Sequence, residues 1–173
     1  MSNVKKLCFM GIVAMLAAVL ASLAFAATNT PNESNTVLEV AQGQSDLSDF
    51  TRHVSTAGLD QTLSGTGPFT VFAPTNSAFN KVPRNTMNKL MSPTSKPQLQ
   101  SVLKYHVVRG SYPISELKKM RSGSKLTTIE GKTLTITRRG NNIYVDSARL
   151  VDNGIQAKNG ILYKIDTVMM PPR

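Results

Sequence analysis

Phe69-Thr70-Val71-Phe72-Ala73-Pro74-Thr75-Asn76-Ser77-Ala78-Phe79 holds a strand, its stop and the start of a helix in one segment. Phe69, Val71 and Phe72 are apolar and β-favouring. Pro74 lacks the N–H that a central strand needs, so the strand ends there. Thr75 and Asn76 can each accept a backbone N–H from a first helical turn, ahead of Ala78, Phe79 and Val82. The segment therefore predicts a buried strand over 69–73 and a short helix over 75–82.

Upstream, apolar residues fall at helical spacing in two pieces. Val37, Leu38, Val40 and Ala41 form the first, stopped by Gly43. Leu47, Phe50, Val54 and Ala57 form the second, with Ser45 or Asp46 as cap and Gly58 as stop. His53 borders that stripe and is expected on the helix surface. Residues 59–67 close on the turn Ser64-Gly65-Thr66-Gly67, which has no phosphate-binding lysine and no long helix behind it. Downstream, 84–91 predicts a short helix. Pro97 suits the first turn of another, with Leu99, Val102, Leu103 and His106 on one face. That run passes into Val107-Val108 and stops at Gly110.

From Lys125 the apolar period changes to two. Leu134 and Ile136 mark one strand, and Ile143-Tyr144-Val145 the next, across a turn at Gly140-Asn141-Asn142. Arg149-Leu150-Val151 makes a short strand, Asp152-Asn153-Gly154 and Asn159-Gly160 make turns, and 161–168 is the last strand. Helices first and strands later predict an α+β domain with an antiparallel sheet system.

The ends frame that domain. Lys5 and Lys6 precede an apolar run from Leu7 to Ala21, and Ala24-Phe25-Ala26 fits a small-residue cleavage site, so 1–26 reads as a signal peptide. Retained, the stretch from Leu7 to Ala27, interrupted only by Ser22, is long enough to anchor the domain to the outer face of a membrane. Residues 27–35 are polar and read as a flexible linker, leaving 36–173 as one domain. Cys8, the only cysteine, lies inside the leader, so the exported domain relies on its core without disulfides. The chain carries a net charge of +10, and loss of Lys5 and Lys6 leaves about +8. Such a charge favours encounters with anionic partners.

Three segments in order resemble the fasciclin domain. They are Thr70, Phe72, Pro74, Thr75 and Asn76 through Phe79; then Tyr105-His106-Val107-Val108 before Gly110; then Asn159-Gly160-Ile161-Leu162-Tyr163 through Asp166 and Pro171. The resemblance covers about 36–172. It implies a β-wedge or sandwich of antiparallel strands flanked by several short helices, used outside the cell for adhesion, with no general catalytic activity. It also implies that the Tyr105/His106 region is a candidate for partner binding. Two positions depart from the family pattern. Asn76 stands where an acidic residue is common, and Tyr163 stands where histidine is common.

The residues themselves give little support to catalysis. Neither His53 nor His106 has a second histidine or a cysteine at helical spacing to build a metal-ligand set, so no metal and no cofactor is expected. No serine sits in a Gly-x-Ser-x-Gly elbow. His106 on an apolar stripe reads as a buried imidazole bonded to backbone or to a polar group near Asn76; ligand contact or pH sensing is the rival. Tyr105 either covers the core edge or is exposed for a partner. The charged candidate is the run Lys104, Arg109, Lys118, Lys119, Arg121, Lys125, Lys132, Arg138 and Arg139, against only Glu116 and Glu130. If the strand and the loop before it share a face, Lys118, Lys119, Arg121, Lys125, Arg138 and Arg139 form a cationic patch.

Together these features predict an exported, extracellular or periplasmic domain that binds by its surface and is not an enzyme. Its partner is a cell-surface or matrix protein, or an anionic polysaccharide or lipid headgroup. Nucleic acid is not expected, since the chain has no tryptophan and aromatics do not interleave with the basic run. Two other readings stay open: a small-ligand carrier or enzyme using His106, and a passive envelope or matrix component that self-associates.

Overall fold

Thr70 to Pro74 is buried without a break, as a strand covered on both faces must be. In the computed structural model, which describes residues 34–171, this strand is β1 (Phe69–Pro74). The signal-peptide reading of 1–26 lies outside the described residues, as does most of the 27–35 linker.

The chain enters through α1 (Val37–Gln42), a 3-10 turn (Ser45–Leu47), α2 (Ser48–Ala57) and α3 (Asp60–Ser64). After β1 come α4 (Asn76–Asn80), α5 (Arg84–Met91), α6 (Lys96–Tyr105), β2 (Val107–Arg109) and α7 (Ile114–Lys119). The rest is strand: β3 (Ser124–Thr127), β4 (Thr133–Arg139), β5 (Asn142–Val145), β6 (Ala148–Arg149), β7 (Ile155–Ala157) and β8 (Gly160–Ile165). Local chemistry sets the helix ends. Thr36 and Glu39 form a reciprocal capping box at α1. Gly58 ends α2 at φ 72°, a left-handed conformation that favours glycine. The Thr75 hydroxyl accepts the Ala78 N–H at 3.3 Å and starts α4.

Two four-stranded sheets result, ordered β2-β1-β8-β7 and β3-β4-β5-β6. Alternation along β1 and β8 serves two cores. Val71, Ala73 and Leu162 face the helices, packing with Phe50, Val54, Leu99 and Leu103. Phe72, Ile161, Tyr163 and Ile165 face the second sheet, against Leu134, Ile136 and Val145. The α+β architecture is as the sequence predicts, with one correction to the antiparallel expectation. β1 and β8 pair in parallel, from Phe69 opposite Gly160 to Pro74 opposite Ile165. A parallel pair needs a long crossover, and everything between Pro74 and Gly160 supplies it.

Two glycines let this central pair start. A Cβ on Gly160 would lie 2.0 Å from the Phe69 carbonyl oxygen, and one on Gly67 would lie 2.0 Å from that of Asn159. Neither position accepts a side chain without moving backbone.

Candidate functional site

Tyr105 and His106 close α6, and both side chains are buried, which leaves neither presented to a partner. His106 is fully enclosed. Its Nε2 accepts the Met169 N–H at 3.0 Å, so Nδ1 carries the proton and donates to the Val102 carbonyl at 2.7 Å. The polar partner is thus the chain's C-terminal segment, not a group near Asn76. Burial drives the His106 pKa down to about 4, against the Val102 bond and the Asp146 charge, which favour protonation. The Tyr105 hydroxyl donates to Asp146 Oδ2 at 2.7 Å, with the Thr133 carbonyl at 3.2 Å. Burial first, and then Asp146, raises the pKa of that phenol. Both residues pin α6: His106 to the C-terminal segment and Tyr105 to the second sheet.

His53 corrects the surface expectation. It is 3 % exposed and packs edge-on against Phe79 at 4.8 Å between ring centroids. The reason is visible on the helix: Phe50, His53, Val54 and Ala57 are spaced by three and four, which puts His53 inside the apolar stripe. Burial and then Arg52 lower its pKa, against Asp49, and its Nδ1 has no hydrogen-bond partner.

The signature residues are structural. Thr70 donates to the Gly110 carbonyl at 2.7 Å and accepts the Tyr112 N–H at 3.0 Å. Phe72 stacks on Tyr163 at 5.7 Å, and the Tyr163 hydroxyl donates to the Tyr112 carbonyl. Asn76 works on the neighbouring helix: its Oδ1 accepts the Asp49 N–H at 3.1 Å, and its Nδ2 donates to the Ser45 carbonyl and the Ser48 hydroxyl. Asp166 is partly desolvated, yet the Arg149 N–H, the Thr167 hydroxyl and the Lys81 and Arg149 cations hold its pKa below the usual value.

Asn159 is the densest tie point. Its Oδ1 accepts the Val37 N–H at 2.8 Å, and its Nδ2 donates to the Leu63 and Gly65 carbonyls, both at 2.8 Å. Its own carbonyl accepts the Phe69 N–H at 2.9 Å. One residue thus joins α1 and the end of α3 through its side chain, and the start of β1 through its main chain.

The basic run divides over two surfaces. Arg138 reaches inward along β4 and donates to the Lys118 carbonyl at the end of α7, a cation on a helix C-terminus. Arg138 and Lys118 line a cleft of about 510 Å³ with Asn141, and Lys119 and Arg121 lie exposed close by in the chain. Arg139 follows Arg138 on a strand and so points the other way, over the Tyr144 ring at 5.3 Å. Lys125 pairs with Thr135 and shares that outer face with Arg139. A single shared face for all six cations is therefore corrected to two clusters.

Acidic side chains are largely engaged inside the protein. Asp49 pairs with Arg52, Asp46 with Lys164 and Asp166 with Arg149. Asp146 holds Tyr105, and Asp60 accepts from Ser55. Burial raises the pKa of Asp152, against N–H bonds from Lys164 and Gly154 and the Lys164 charge.

Two further clefts meet at the Thr66-Gly67-Pro68 ridge. One, of about 620 Å³, carries Lys104 and Arg109; the other, of about 530 Å³, carries Lys158. Sequence reasoning counted Lys104 and Arg109 in the basic run but did not place them here.

Two four-stranded sheets sharing a central wedge, with a helical layer on one side, define an α+β module whose polar side chains act as internal ties. The chain belongs to the fasciclin domain family: the profile described as "Fasciclin domain" matches residues 45–171. It is 35 % identical over 137 residues to protein sll1483 of Synechocystis, covering 79 % of this chain and 74 % of that one. It is 36 % identical over 150 residues to the immunogenic protein MPB70 of Mycobacterium bovis, covering 87 % and 69 %. The structure superposes on a FAS1 domain pair from the insect cell adhesion molecule fasciclin I with a TM-score of 0.71 at 20 % identity. That match covers 80 % of this chain and 51 % of that one, so the chain spans about half the pair.

Proposed function

We propose that this protein is an exported adhesion or recognition domain that binds anionic partners at a cell surface or in a matrix through its exposed cations, and transforms no substrate. Several observations support the reading. A similar protein, MPB83 of Mycobacterium bovis, is named a cell surface glycolipoprotein, and the fold matches that of a cell adhesion molecule. Among the described residues no helix is long and apolar enough to cross a membrane. The observation that carries the proposal is the imbalance of free charge. Apart from Glu116 and Glu130, the described carboxylates are tied up internally, while Lys118, Lys119 and Arg121 are exposed and make no ion pair among the described residues. The rival built on His106 finds no free ring nitrogen, because both are bonded to backbone.

The test compares retention of the purified protein on carboxylated and on unmodified dextran as sodium chloride rises. The expected result is retention on the charged matrix only, fading with salt as screening shortens the interaction range. The Lys118/Lys119/Arg121→Ala variant should lose most of it. Equal retention of variant and parent would end the proposal. Salt-insensitive self-association would instead favour a passive envelope or matrix component.

A further inference from the structure

The two clefts at the Thr66–Pro68 ridge share no lining residue with the Lys118/Arg138 cleft, and their chemistry is different. Lys104 and Arg109 stand on one side of the ridge, Lys158 on the other. None of the three side chains meets a carboxylate partner among the described residues, and no described carboxylate lines either cleft. Around these cations the walls offer Thr62 and Thr66 on the Arg109 side, and Thr36, Ser64, Ser111 and Gln156 on the Lys158 side. Each of those side chains can donate and accept. Phe69 and Ile129, both half-buried, give the Arg109 cleft an apolar component.

The ridge between the clefts is held from both sides. Pro68 accepts the Gly110 N–H at 2.9 Å, and Phe69 donates to the Asn159 carbonyl at 2.9 Å. Asn159 Nδ2 fixes Gly65, the residue just before the ridge. A groove built on tied backbone loses little freedom when filled, which favours binding. Each of the two clefts has a volume within the range that small-molecule sites occupy.

We infer that these adjoining clefts form one groove that holds a segment of a carboxylated polysaccharide, a chain of uronic-acid type lying across the Thr66–Pro68 ridge. Arg109 and Lys104 would meet sugar carboxylates on one side and Lys158 on the other, with hydroxyl and amide side chains meeting sugar hydroxyls between them. Pyranose C–H faces suit the Phe69 and Ile129 surface. A nucleic-acid strand fits less well, since a single half-buried phenylalanine is the only aromatic in the lining. This site stands independently of the α7–β4 surface.

The test is titration calorimetry of the protein with a galacturonic-acid hexamer, with a neutral glucose hexamer and a short polyphosphate as comparators. Amide chemical shifts map the site on the unmutated protein. The acidic hexamer is expected to bind and to shift Thr66, Arg109, Ser111 and Lys158. Lys104→Ala and Arg109→Ala should each weaken it by about threefold to tenfold, as for a partly exposed ion pair. The neutral hexamer should bind more weakly still. No binding of the acidic hexamer, or shifts that map elsewhere, would overturn the assignment. So would equal binding of the neutral hexamer, or polyphosphate binding as tightly through the same residues. If only the Lys118/Lys119/Arg121→Ala variant loses the hexamer, the groove is wrong while the broader proposal of a cationic binding surface survives.

Discussion

Acidification should loosen this domain at His106. His106 is neutral and fully buried, with its pKa driven from 6.5 to about 4 by desolvation. An unfolded chain binds a proton there at a higher pH than the folded one does. The stability that neutral His106 contributes is therefore fully present above pH 6.5 and is lost as pH falls toward 4. The gap, at about 1.4 kcal/mol per pH unit, gives a loss of about 3 kcal/mol. Protonation also removes the lone pair that accepts the Met169 N–H, so the C-terminal segment should loosen with it. The assay is urea unfolding from pH 7.5 to pH 4 on the parent and on His106→Gln. The variant is less stable at pH 7.5, and the difference between the two proteins should shrink by roughly 3 kcal/mol by pH 4. His53 and the carboxylates are common to both proteins and cancel in that difference. Parallel curves across the whole range would refute the reasoning, because they would mean that His106 titrates alike in folded and unfolded chains.

Two other predictions concern the central pair. Asn159→Ala removes three side-chain hydrogen bonds and leaves the Val37 N–H and the Leu63 and Gly65 carbonyls without that partner. A loss of about 2–4 kcal/mol is expected from the urea midpoint, and an unchanged midpoint would remove Asn159 as a tie point. Gly160→Ala should cost more than about 3 kcal/mol or prevent folding, since its Cβ would strike the Phe69 carbonyl at 2.0 Å. Gly43→Ala, whose Cβ would sit 3.5 Å from the Val40 carbonyl at an ordinary φ of −71°, should stay within about 1 kcal/mol of the parent by thermal melt. Similar losses in the two glycine variants would show that close backbone approach is not what selects glycine at 160.

Elements with strong local chemistry were legible in the sequence. The 69–79 segment reads correctly because proline and a threonine cap act on their own neighbours. Weak elements were not. α7 buries only Leu117, and α3 only Leu63, too little to produce a period. β7 is three residues long, and its pairing with β8 is set by the Asn159-Gly160 turn and not by composition. The parallel register of β1 on β8 is long-range and leaves no local mark. The division of Arg138 from Arg139 was legible in principle, since adjacent residues on a strand face opposite ways. The Arg109 groove was not, because it joins segments from α3, β1, β2 and α6 that only the fold brings together.

The same distribution explains how a domain without disulfides combines a fixed frame with a free surface. The groups best suited to proton chemistry are spent inside: His106 on the C-terminal segment, Tyr105 on Asp146, Tyr163 on Tyr112, and Asp166 on Arg149. Each of these bonds joins elements distant in sequence, so each selects one arrangement of sheets and helices over its competitors. Because carboxylates go into such ties, positive charge is left over outside, at Lys118, Lys119 and Arg121 and again at Lys104, Arg109 and Lys158. Binding and stability should therefore separate by position. Variants of the internal ties should shift unfolding midpoints and leave anion binding intact in whatever fraction stays folded. Variants of the outer cations should do the reverse. A surface lysine whose loss unfolds the domain, or a buried tie whose loss weakens binding by a folded protein, would contradict that separation.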